Sequence, residues 1–314
     1  MEKFRVEPAY LQTYQSGVLA ERIADSQRWL AKCTLCPRLC KVDRLADEKG
    51  HCRTGRQAVM ASYGPHFGEE TPLVGSHGSG TIFFAHCNLF CTFCQNYDIS
   101  HEGRGMPVSA SDLAAVMIAL QEQGCHNINF VTPTHVLAQI LESLPLAIER
   151  GLRIPLVYNC GGYERVTALK LLAGIVDIYM PDFKFWDEEP ARVFCDAPDY
   201  AERARQALRE MHRQVGDLQL NEKGMARRGL LVRHLVMPGG LAGTRGVLRF
   251  IAKEVSPNTY VNVMDQYRPC GQAVGRSDIG RPITSAEYEE ALRIAREEGL
   301  ERLDQRNYGR RLLW

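Results

Sequence analysis

Residues 81–94, TIFFAHCNLFCTFC, place Cys87, Cys91 and Cys94 directly behind a run of β-branched and aromatic residues. TIFFAH (81–86) has the composition of a buried strand, and the cysteines belong to the loop that ends it. The same pattern recurs in HNINFVTP (126–133), IPLVYN (154–159), IVDIYMPDFK (175–184), LLVRHLVMPG (230–239) and TYVNVMDQY (259–267). Each is short, apolar and punctuated by Pro, Gly or Asn. Helical periodicity fills the intervals at 109–123, 135–150, 164–173, about 190–214 and 243–254, and a last amphipathic helix starts near Ser285 and ends at Gly299. Six strands, each followed by a helix or an extended return, predict an α/β fold with a parallel sheet. The count fits a partial (β/α)6 TIM-like barrel better than a closed eight-unit barrel, with a doubly wound sheet as the other option. The chain then divides into a Cys-rich metal-binding segment (1–78), the barrel (79–270) and a helical extension (271–314).

Bulk properties narrow the function classes. The 314 residues are 45% hydrophobic and 24% charged, with a formal net charge of +1, as in an ordinary globular protein. Like charges form no block, so there is no electrostatic footprint for nucleic acid or an acidic membrane surface. No apolar stretch approaches the roughly 18 residues of a membrane span. The start, MEKFRVEPAYLQTY, lacks the basic-then-apolar pattern of a signal peptide, which predicts a cytoplasmic protein. In that reducing compartment, close-spaced cysteines read as metal ligands or redox groups rather than disulfides. Seven of the eleven cysteines fall in two tight groups; Cys125, Cys160, Cys195 and Cys270 read as small buried hydrophobes.

Chemistry in such a fold sits at the C-terminal ends of the strands. Cys87, Thr132-Pro133-Thr134-His135, Asn159-Cys160-Gly161-Gly162, Asp182-Phe183-Lys184, Arg233 and Asp265-Gln266-Tyr267 occupy those positions and predict one shared pocket. Three thiolates from one loop suit three irons of a [4Fe-4S] cluster, leaving the fourth iron open as catalytic metal sites do. The rival is structural zinc, with His86 or His101 as fourth ligand, but the spacing and the strand-end position fit zinc poorly. An iron–sulfur electron-transfer or redox-sensing protein would need a fourth cysteine, and the sequence places none nearby.

CNLFCTFC resembles the signature of the radical S-adenosylmethionine (SAM) superfamily. The resemblance implies that the open iron chelates the methionine moiety of SAM, that the C–S bond is reductively broken, and that a 5′-deoxyadenosyl radical abstracts hydrogen. Phe93 matches the aromatic position that packs near adenine. PRLCKVDR, NINFVTPTH, DIYMPDFK and RHLVMPG extend a similarity to activating enzymes of the pyruvate formate-lyase type. By that similarity Asp182, Lys184 and Arg233 contact the cosubstrate. The target is then a glycine of a glycyl-radical enzyme, another protein or peptide, or a small molecule, with flavodoxin or ferredoxin as electron donor. The Gly-Gly-Glu run expected after the second strand is absent, and Thr132 and Thr134 stand in as acceptors for an ammonium group. Gly161-Gly162-Tyr163-Glu164 appears one strand late, with Glu164 as a helix start. Gln266 stands where the activating enzymes carry a histidine, and Asn262, Met264 and Gln266 share one strand face.

Cys33, Cys36, Cys40 and Cys52 lie within twenty residues, enough to wrap a second metal centre. Zinc would staple the segment, whereas an auxiliary iron–sulfur cluster would relay electrons or anchor a substrate. The spacing is not that of two-cluster ferredoxins and leans toward zinc or a nonstandard site. Glu69 and Glu70 read as a turn entering the first strand.

Overall fold

The computed structural model describes residues 7–304, so the first six residues of the start and residues 305–314 of the extension lie outside it. Its strands are β1 (Ala58–His66), β2 (Ser79–Phe84), β3 (Met106–Val108), β4 (Ile128–Val131), β5 (Leu156–Cys160), β6 (Ile178–Pro181), β7 (Gln219–Leu220), β8 (Ala226–Leu235) and β9 (Tyr260–Met264). The six expected strands are β2, β4, β5, β6, β8 and β9, and each pairs in parallel with the next. Neighbours in sequence are neighbours in the sheet, with no reversal of strand order. That is the progressive winding of a partial barrel and not the order of a doubly wound sheet.

β1 runs antiparallel on the free edge of β2, with β3 outside it, and β7 lies antiparallel on β8. β1 is half-exposed along most of its length, so it lacks the continuous apolar run of the parallel strands. The helix Ala110–Glu122 opens with a capping box in which Ser109 and Asp112 satisfy each other's backbone N–H. Thr284 and Glu287 do the same for Ser285–Glu297. The helix expected at 190–214 is two, Glu188–Cys195 and Tyr200–Val215, because Asp196 turns left-handed at φ 51° and Pro198 follows. Two N-terminal helices, Ala9–Gln15 and Val18–Leu30, were not evident from the sequence. Tyr10, Leu11, Leu19 and Leu30 bury into the same apolar core as the barrel strands, which fixes the cysteine segment that follows against the barrel. No helix among the described residues is long and apolar enough to cross a membrane.

Candidate functional site

The strand ends enclose a cavity of about 340 Å³. Cys87, Cys91 and Cys94 line it together with Thr132, Asn159, Asp182, Lys184 and Arg233, and Met264 and Gln266 complete the lining from β9 and the loop after it. Phe93 is buried in the wall, its ring 5.9 Å from Phe185 and 6.1 Å from Tyr267. Thr132 turns the chain out of β4 at φ 62°, a strained value for a β-branched residue, and its N–H donates to the Asn159 carbonyl at 2.9 Å. Gly162 is required locally: a Cβ there would sit 2.2 Å from the Asp182 carbonyl oxygen.

Asp182 organises the charge. One carboxylate oxygen accepts from Arg233 Nε at 2.7 Å and the other from Lys184 Nζ at 2.5 Å. Burial would raise this carboxyl, yet the two cations hold it below its ordinary range. Arg233 Nη2 donates to Asn159 at 2.7 Å, and its Nη1 lies 3.8 Å from Glu69 and 3.9 Å from Glu70. Burial pushes Glu70 up to about 7, although Arg233 pulls it down. Its Oε1 accepts from Asn262 at 3.0 Å, and its Oε2 is buried without a hydrogen bond. The alternation of β8 turns the next residue, His234, away from the cavity onto the Phe183 carbonyl and Thr244.

Around the thiols, the Leu89 N–H donates to Cys87 Sγ at 3.3 Å and Ser100 Oγ to Cys94 Sγ at 3.1 Å. Burial pushes the Cys87 and Cys94 thiols up. Cys91 is held down, first by its contact with Cys195, whose Sγ lies 3.3 Å away. No three His, Cys, Asp or Glu side chains among the described residues converge on a point that would hold a single metal ion. The donor set of three thiols beside an open cavity therefore fits a polynuclear cluster with one free coordination position.

The structure thus brings together Cys87, Cys91, Phe93, Cys94, Thr132, Asn159, Asp182, Lys184, Arg233 and Gln266. It does not bring Thr134: the turn at Thr132 buries that hydroxyl on Glu164, away from the cavity wall. Glu164 is a buried acid, pushed up to about 7 by burial, and also accepts from Tyr158 at 3.3 Å. Asn262 reaches the site through Glu70. His86 and His101, the candidates for a fourth zinc ligand, do not line the cavity. The sequence reading missed Glu69 and Glu70, which are buried cavity residues, and it missed Cys195. Cys160 lines the cavity and Cys195 touches Cys91 from behind the wall. Both are buried as expected, whereas Cys270 is half-exposed. A fourth cysteine thus does stand near Cys91, brought there from another element.

Cys33, Cys36, Cys40 and Cys52 line a separate small hollow with Arg44 and His135. Arg38, between Cys36 and Cys40, donates to the Asn88 carbonyl at 2.9 Å, beside Cys87.

The sequence profile of the radical SAM superfamily matches residues 81–218. The uncharacterized protein MJ0674 of Methanocaldococcus jannaschii is 32% identical over 301 residues, covering 93% of this chain and 82% of that protein. Among solved structures, the chain is similar to the FeFe-hydrogenase maturase HydG from Carboxydothermus hydrogenoformans, with a TM-score of 0.49 and 15% identity over 71% of this chain. It spans 51% of that maturase. Methylornithine synthase (PylB) gives a TM-score of 0.45 and 15% identity over 69% of this chain and 62% of the synthase.

Proposed function

The chain belongs to the radical SAM superfamily, and on that premise we propose that it binds a [4Fe-4S] cluster through Cys87, Cys91 and Cys94 and abstracts hydrogen from a protein or peptide segment. A cluster held by Cys87, Cys91 and Cys94 would supply the electron for reductive cleavage of SAM. The chain's own residues bind, orient and exclude. Lys184 and Arg233 are the cations available to the methionine carboxylate, and Asp182 holds both in place. Glu69, Glu70 and the Thr132 backbone offer acceptors for the ammonium group. Phe93, Leu89 and Phe84 supply an apolar wall, which keeps water from the reactive carbon. Full ionisation of Glu70 is favoured by a cation beside it, which its Arg233 neighbour provides only at 3.9 Å.

The observation that carries this reading is the single cavity shared by the three cysteines and the Asp182–Lys184–Arg233 set. Its size supports a macromolecular target. At about 340 Å³ it lies near the lower end of small-molecule pockets, so the cosubstrate leaves little room for a second ligand. Phe67, exposed between the lining residues His66 and Gly68, offers an apolar contact for such a target. The similarity to pyruvate formate-lyase activating enzymes favours a glycine as the hydrogen donor.

Anaerobic protein reduced with dithionite or flavodoxin should release 5′-deoxyadenosine from SAM, measured by mass spectrometry. Deuterium from a labelled partner should appear in that product. Binding of SAM without release, with Cys91→Ala behaving like the parent, rejects the proposal.

A further inference from the structure

The barrel cavity does not account for the N-terminal cysteines. We propose that Cys33, Cys36, Cys40 and Cys52 hold a second four-iron, four-sulfur cluster, packed directly behind the loop that carries the first. The four cysteines line one hollow whose remaining wall is Leu35, Leu39, Val42, Gly50, Arg44 and His135. The chain is fitted closely around the sulfurs. A Cβ on Gly50 would lie 2.8 Å from Cys40 Sγ, and the neighbouring His51 N–H donates to that sulfur at 3.3 Å.

Arg44 supplies the second, independent observation. Its side chain is 1% exposed and lines the hollow. Nε donates to the Gly55 carbonyl at 3.0 Å, and Nη1 donates to the His135 carbonyl at 2.7 Å and lies 4.0 Å from Cys33 Sγ. Nη2 has no partner, and no carboxylate among the described residues reaches this guanidinium. A buried cation without an anion is unfavourable, and a thiolate-ligated cluster supplies the missing negative charge. Nδ1 of the buried His135, on the same wall, is also without a partner.

A tetrathiolate zinc would supply the same charge, but it needs its sulfurs to meet at one point. Four cysteines face one hollow without converging on a single-ion position, and Cys87, Cys91 and Cys94 behave the same way. The shared feature points to a larger inorganic core in both places. Contact between the two loops is direct. Arg38 donates to the carbonyls of Asn88 at 2.9 Å and Cys195 at 3.4 Å, and the His51 and Phe90 rings meet edge to face at 4.6 Å.

The test is metal content, which is independent of SAM cleavage. Full-length protein reconstituted anaerobically should carry about eight irons and about eight sulfides per chain. The Cys87→Ala/Cys91→Ala/Cys94→Ala variant should retain about four irons and a reduced-cluster electron paramagnetic resonance signal. Cys36→Ala/Cys40→Ala should also retain about four, with the signal that responds to added SAM. One zinc per chain in place of the second cluster overturns the proposal, as does a folded triple variant free of iron. If the triple variant does not fold, Cys36→Ala/Cys40→Ala decides against the parent: a loss of about four irons supports the proposal and an unchanged count overturns it. Failure of the SAM-cleavage reading would leave these counts unchanged.

Discussion

The two cysteine groups use the same ligand atom in opposite surroundings. Cys87, Cys91 and Cys94 open onto a cavity whose lining carries Asp182, Lys184, Arg233 and two buried glutamates. Cys33, Cys36, Cys40 and Cys52 face a narrow hollow with apolar walls and one cation, Arg44. An open coordination position is useful only where groups of both signs wait to orient what binds there. A closed tetrathiolate needs only charge compensation and dryness. Reactivity in this chain is thus assigned by the neighbours of the sulfurs, because the cysteines alone look alike.

The largest expected effects break the barrel side of this comparison. Cys91→Ala should reduce 5′-deoxyadenosine release at least ~100-fold, since a missing ligand removes the open-site cluster. Iron analysis on the same sample should show the loss from that site. Asp182→Asn comes next. It leaves Lys184 and Arg233 buried and facing each other, 16% and 18% exposed, without the carboxylate that joins them. Breaking such a network costs about 3–5 kcal/mol, read as a lower denaturation midpoint, and SAM affinity by calorimetry should fall with it. On the other side, Arg44→Gln should destabilise metal-loaded protein more than metal-stripped protein, because only the loaded hollow offers Arg44 an anion. Equal effects in both forms would remove the distinction drawn between the two sites.

A smaller effect separates the cavity from the buried acid behind it. Glu164 has an ordinary value of 4.5 and is pushed up to about 7 by burial, with Thr134, Tyr158 and Cys160 opposing. Between those values the folded protein keeps a proton that the unfolded chain has lost. Stability therefore falls as pH rises from 4.5 to about 7, by roughly 3 kcal/mol at most. Glu164→Gln should make that arm of the melting profile shallower, the remainder belonging to Glu70, which burial raises to about 7 as well. His234 acts with the opposite sign: burial lowers it from 6.5 to about 4, so its share of stability is lost as pH falls through that window. That acidic arm should persist in Glu164→Gln.

The parallel strands were legible because each is buried on both faces and reads as a continuous apolar run. β1 and β3 were not, since an edge strand with half-exposed residues has no such run. Asp182, Lys184 and Arg233 were legible through the resemblance to the activating enzymes and their position at strand ends, where a period of two lets Asp182 and Lys184 face one side. Thr134 was misplaced because the chain leaves β4 at Val131 and turns at Thr132, which strand period does not foretell. Glu69 and Glu70 were read only as a turn entering the first strand because nothing local marks them as buried; they meet Arg233 and Asn262 on distant strands. Cys195 was invisible for the same reason, being 104 residues from Cys91. Long-range contacts carry no periodic signal.

Cys195 gives the finest test of how neighbours tune sulfur. Its thiol sits 3.3 Å from Cys91 Sγ but outside the cavity wall, so it is placed to donate to a ligand sulfur without being a ligand. Ser100 Oγ stands in the same relation to Cys94 at 3.1 Å. Hydrogen bonds to ligand sulfurs stabilise the reduced, more negative cluster and raise its potential. Cys195→Ala and Ser100→Ala should each retain iron and lower the midpoint potential by about tens of millivolts in a redox titration followed by electron paramagnetic resonance. A hydroxyl is a stronger donor than a thiol, so the Ser100 variant should shift further. Loss of iron in Cys195→Ala with no loss in Ser100→Ala would instead make Cys195 a ligand, and the barrel site would then resemble the closed N-terminal one.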